Sequence, residues 1–103
     1  MADHLALIKA VWPAIATPKA DAVFGLFFEA NGLATSGREP YRSLVPALVE
    51  LWIAWAAGFI DGSPEELRTE AETAIALIDG LLLLRLLAGP EPAERAARRI
   101  GVC

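Results

Sequence analysis

Residues that do chemistry are scarce in this chain. It holds one cysteine, Cys103, and one histidine, His4. A single thiol excludes an intrachain disulfide, and one histidine without paired cysteines leaves no zinc-type ligand spacing. No metal site and no cofactor are expected. Sparing use of cysteine fits a reducing, cytoplasmic setting. No glycine-rich loop follows a strand-like segment, so the phosphate-cradling motifs are absent. No segment alternates apolar and polar residues over a strand length, so no sheet is expected. Nine Lys and Arg face 13 Asp and Glu, and the net charge of −4 repels nucleic acid. The start, Met1-Ala2-Asp3-His4, has neither the basic residues nor the apolar run of a secretory leader. Spanning a bilayer takes ~20 apolar residues. Leu44–Ile60 is interrupted by Pro46 and Glu50, and Ala74–Leu87 by Asp79 and Arg85. Buried helices are therefore expected in place of membrane spans.

What the chain does have is apolar surface. Its 103 residues are 55% hydrophobic, with a mean hydropathy of +0.45. That excludes disorder and is rich for a monomer. A single domain of this size buries roughly two thirds of its unfolded surface. The surplus points to an interface, a ligand cavity or a membrane.

Proline punctuates the sequence at first-turn positions. Pro18, Pro40, Pro64 and either Pro90 or Pro92 each precede a run of good helix formers. The reading is an all-α bundle of five helices: Asp3–Ile15, Pro18–Ser36, Pro40–Ile60, Pro64–Leu87 and Pro92–Ile100. The short connections favour antiparallel neighbours. Pro46 either kinks the third helix or marks its true start. In the last helix, Glu91/Arg95 and Glu94/Arg98 stand four residues apart, the spacing of helical ion pairs.

The fourth helix is the most informative. Ser63-Pro64-Glu65-Glu66 is a cap followed by a capping-box glutamate. Through Thr73 the helix is one-sided. From Ala76 the polar side is lost, because Ala76, Leu77, Gly80, Leu83, Leu84 and Leu87 take the angles that acids held earlier. A helix apolar on every side must be covered on every side. A second copy of the chain is the simplest cover, so these six residues are the expected homodimer interface. Gly80 reads as a notch where a facing helix comes close. Asp79 beside it is either a buried acid with a raised pKa or a residue bonded to a neighbouring helix or facing an arginine.

Seven aromatics lie on the first three helices, on faces expected to point inward: Trp12, Phe24, Phe27, Phe28, Trp52, Trp55 and Phe59. They read either as plain core or as the lining of a cavity for a small hydrophobic or aromatic ligand. The heavy stripe of the third helix is Leu48, Trp52, Trp55 and Phe59. In the second helix, Ala20, Val23, Phe24, Phe27 and Phe28 recur at helical spacing. Catalysis has little support. The serines Ser36, Ser43 and Ser63 sit at caps or turns with no general base nearby, and His4 lies near an end expected to fray. Only Asp79 and Glu50 stand as candidate acids.

Three stretches resemble the C-terminal half of Tet-repressor-family (TetR) transcriptional regulators. They are Phe27-Phe28-Glu29-Ala30, then Gly37-Arg38-Glu39-Pro40-Tyr41-Arg42, then Ala74-Ile75-Ala76-Leu77-Ile78-Asp79-Gly80-Leu81-Leu82-Leu83. A Gly-Pro-Glu break and a short basic helix follow, and the resemblance runs from about Ala22 to Val102. It implies a domain that binds an inducing ligand and dimerises, serving a repressor whose N-terminal helix-turn-helix binds DNA. The aromatics would line the effector cavity, and the fourth and last helices would form the dimer. No helix-turn-helix precedes this segment, so the 103 residues are not expected to bind an operator by themselves. The last helix is also shorter and more polar than the family's, so either it contributes to the contact or Pro40–Ile60 helps instead. The alternative reading is a small helical membrane-associated or protein-interaction module without a ligand.

Overall fold

The computed structural model describes residues 1–103 as five α-helices without a strand. They are α1 (His4–Ile15), α2 (Pro18–Thr35), α3 (Tyr41–Ala57), α4 (Pro64–Ala88) and α5 (Pro90–Ile100). Local chemistry sets their ends. The side chains of Asp3, Thr17 and Ser63 accept from the backbone N–H of Ala6, Ala20 and Glu66, which caps α1, α2 and α4. Pro18, Pro64 and Pro90 stand in first turns, where a missing N–H is harmless. Gly89 (φ 103°) makes the break between α4 and α5, a backbone setting that a side chain would strain. Pro46 lies inside α3 and does not begin it, and α5 starts at Pro90.

Helix α4 is the hub, packed against each of the other four. It buries Ala71, Ala74, Ile75, Ile78, Leu81 and Leu82 against Leu7, Ile8 and Trp12 of α1 and Ile53 and Ala56 of α3. Ala93 and Ala97 of α5 and Val102 close the far side. The alanines at 71, 74, 93 and 97 are fully buried, and their small side chains let α4 and α5 approach closely. One buried charge joins the hub. Arg85 Nε and Nη2 donate to the two carboxylate oxygens of Asp21 on α2, at 2.7 and 3.1 Å.

Several local expectations are corrected. Helix α3 and the turn after it are rotated from the heavy stripe: Ile53, Ala56 and Ile60 are buried, whereas Trp55 and Phe59 are 48% and 47% exposed. Both stripes are apolar, and the slimmer one fits the close contact with α4. On α2 only Phe27 is buried, and Val23 is exposed. His4 does not fray, because its backbone N–H and its ring Nδ1 both meet Glu70 Oε2, at 2.7 and 2.6 Å. Neither expected ion pair forms on α5. Glu94 instead accepts the Trp12 indole N–H at 3.2 Å.

The molecule is a slab measuring 37 × 35 × 19 Å. With helices about 10 Å across, it is two helices thick. Its accessible surface is 6275 Å². A monomer of this mass typically exposes about 5,600 Å². The excess has the scale of one side of a standard protein interface, about 800 Å².

Candidate functional site

A cavity of about 340 Å³ opens between four helices. Helix α1 supplies Val11 and Ile15, one turn apart, and α2 supplies Phe24. Helix α3 supplies Trp52 and Trp55, and α4 supplies Ile75, Ile78 and Asp79. Each pair stands at three- or four-residue spacing, so each helix turns one short face toward the gap. Bulky rings at the meeting of four helices do not interdigitate completely, which is why a space remains. Its size and its apolar lining with a single polar group are those of a small-molecule site.

Asp79 is the exception on this wall. Its Oδ1 is buried and has no hydrogen-bond partner. Burial pushes its carboxyl up to about 6. The folded pKa therefore exceeds the ordinary 3.8. The folded state binds the proton more tightly than the unfolded one, so this group favours folding most at low pH, and that contribution is lost as pH rises through about 6. Above that pH the chain carries a poorly solvated carboxylate.

The other candidate acid is differently placed. Glu50 is exposed and grips Arg68, with both carboxylate oxygens 2.9 Å from guanidinium nitrogens. The Arg68 hydrogen bonds hold the Glu50 carboxyl below its ordinary range. No three side chains of a kind that ligates metal come together.

Of the seven aromatics picked from the sequence, the structure brings Phe24, Trp52 and Trp55 onto the cavity wall. Trp12 belongs to the core, buried and bonded to Glu94. Phe27 packs against Trp52 with ring centroids 4.4 Å apart and planes tilted by 37°, and is not itself a lining residue. Phe28 packs on Phe27, and Phe59 meets Trp55 edge to face at 5.2 Å. Val11, Ile15, Ile75 and Ile78 are lining residues that sequence reasoning missed. Aliphatics at helical spacing read as core, and nothing local marks them otherwise.

The leucine wall of α4 lies on the side of the helix that the protomer leaves uncovered. Leu83 is 40% and Leu87 78% exposed, and Leu84, Ala76 and Gly80 are exposed with them. Leu77 is partly buried and packs against the core. A Cβ built on Gly80 meets nothing within 4 Å. Packing within the protomer therefore gives no reason for a glycine that weakens the helix by up to about 1 kcal/mol relative to alanine. Gly80→Ala should raise the stability of the isolated protomer by about 0.5–1 kcal/mol in urea unfolding. The same substitution should weaken self-association, read by sedimentation at graded concentration, if a helix docks at that notch.

No helix is long and apolar enough to cross a membrane. No known family model, curated protein or solved structure matches the chain.

Proposed function

We propose that this chain is the ligand-sensing and dimerisation domain of a TetR-like transcriptional repressor, a cytoplasmic homodimer that takes a small hydrophobic or aromatic effector. The observation that carries this reading is the cavity of about 340 Å³ walled by Phe24, Trp52 and Trp55. Helix α4 supplies the link to an output. One of its faces lines the cavity through Ile75, Ile78 and Asp79, and another carries Ala76, Gly80, Leu83 and Leu87. A ligand that wedges between α3 and α4 would shift this helix as a unit and change how two copies meet. Helix shifts of about 1–2 Å at interfaces are ordinary in such switches. The change would reset the spacing of attached DNA-binding heads, while the 103 residues themselves contact no DNA.

Tryptophan emission reads this directly, because Trp52 and Trp55 stand on the wall. Titration with small aromatic compounds should give a saturable change, and Ile15→Phe, which fills the same space, should abolish it. Emission that no compound perturbs would favour a filled core. A second reading, a protein-interaction module without a ligand, draws on the exposed residues Leu44, Leu48, Leu51, Trp55 and Phe59 of α3 and the turn after it. These recur at helical spacing and would seat a partner helix. In that case self-association or partner binding would be lost on Leu51→Glu and untouched by ligand.

A further inference from the structure

We propose that the cavity selects a lipophilic cation, a one- or two-ring aromatic amine whose ammonium group meets Asp79 while its rings lie against Trp52, Trp55 and Phe24. This rests on the ligand-binding reading above and adds the chemical class of the ligand.

The cavity is not electrically neutral. Seven of its eight lining residues are hydrophobic, and the eighth is Asp79. Its Oδ1 is buried without a partner and no donor of the protein reaches the carboxylate, so its accessible oxygen is Oδ2. An ammonium group in the cavity would meet that oxygen and supply both a hydrogen bond and the opposite charge.

Other ligand classes fit less well. No lysine or arginine lines the space, so a carboxylate ligand would meet Asp79 with nothing to balance it. The buried arginine of the same helix, Arg85, has its Nε and Nη2 engaged by Asp21. A neutral hydrocarbon would leave the acceptor as it is. The aromatic wall favours the same class as the carboxylate, because the indole faces of Trp52 and Trp55 attract cations. A volume of about 340 Å³ sets the size at one or two rings.

The test compares three probes of one shape, 1-naphthylmethylammonium, 1-naphthylmethanol and 1-naphthoate, by titration calorimetry at pH 7.5. The ammonium should bind at least about tenfold more tightly than the alcohol, and the naphthoate should not saturate. Asp79→Asn should bring the ammonium to the level of the alcohol and leave the alcohol within about twofold, with unchanged helical circular dichroism. Asp79→Asn should also melt higher at pH 7.5, because it removes a poorly hydrated charge. The unsubstituted chain gives an independent reading. Among the residues that α1, α2, α3 and α4 turn to the cavity only Asp79 titrates. Lowering the pH to 5 should therefore weaken the ammonium and spare the alcohol.

Equal affinity for ammonium and alcohol, or an ammonium affinity that Asp79→Asn leaves unchanged, overturns the selectivity while the cavity stands. Should none of the three probes bind, the ligand-binding reading fails and this inference with it. If Asp79→Asn weakens self-association but not ammonium binding, the carboxylate serves a contact between copies, and the inference is equally overturned.

Discussion

Leu83→Glu is expected to turn the proposed dimer into a folded monomer. Within the protomer Leu83 is 40% exposed and lies outside the buried core. A glutamate there keeps its carboxylate in water, and the two residues have similar helix propensity. Folding should therefore survive, with unchanged helical circular dichroism. In a contact built on Leu83, Leu84, Leu87 and the Gly80 notch, the same charge would be dehydrated and unpaired. Several kcal/mol is the usual penalty for an uncompensated buried charge. About 3 kcal/mol raises Kd more than a hundredfold, enough to move a micromolar dimer to monomer in a sedimentation run. Leu83→Ala is the control, since it removes apolar contact without adding charge and should weaken the dimer only modestly. The neighbour supplies the contrast. Leu82 is 1% exposed, so Leu82→Glu should unfold the chain altogether. A dimer unmoved by Leu83→Glu would reject this face and leave the exposed α3 residues Leu44, Leu48 and Leu51 as the surface to probe.

Most helix ends were legible in the sequence because they are decided locally; α3, which has no side-chain cap, ends at Ala57 and not at the expected Ile60. Ser63 and Pro64 begin α4, and Gly89 ends it, whatever packs around them. The rotation of α3 was not legible. Its residues are apolar at nearly every angle, so periodicity selects no face, and the outcome turned on the close fit of Ala56 and Ile53 against α4. The fates of the tryptophans diverge for a similar reason. Trp12 can be wholly buried because Glu94, 82 residues away, accepts its indole N–H, while Trp55 has only a half-covered wall. Such pairings are set by the tertiary fold, and no spacing along the chain announces them. Asp79 was conspicuous as an acid among leucines. That it would stand on a cavity wall without a partner depends on which residues three other helices present to it. The cavity follows the same pattern: its aromatics could be picked by type, but its aliphatic half could not.

Asp21→Ala is expected to destabilise the fold by about 3 kcal/mol, although Asp21 lies at the surface end of its pair. The reason is Arg85, whose side chain is 6% exposed against 30% for Asp21. Removing the carboxylate strands a guanidinium inside the hub helix, and its charge cannot be relieved by deprotonation. For a chain of this size each kcal/mol moves Tm by roughly 4–8 °C, so a fall of roughly 12–24 °C is expected in a thermal melt. Replacing both partners, Asp21→Ala with Arg85→Met, should recover most of the loss, because a buried ion pair often gives way to apolar residues without penalty. The pair also bears on the cavity. It fixes the first turns of α2 to α4, and Phe24, three residues along, is the one side chain that α2 contributes to the wall. Asp21→Ala should therefore weaken binding of an aromatic amine at a temperature where the variant is still folded, and the double variant should regain both binding and Tm. An Asp21→Ala chain that melts like the unsubstituted one would show that α2 is held by its apolar contacts alone, and the cavity wall would then need no ionic clasp.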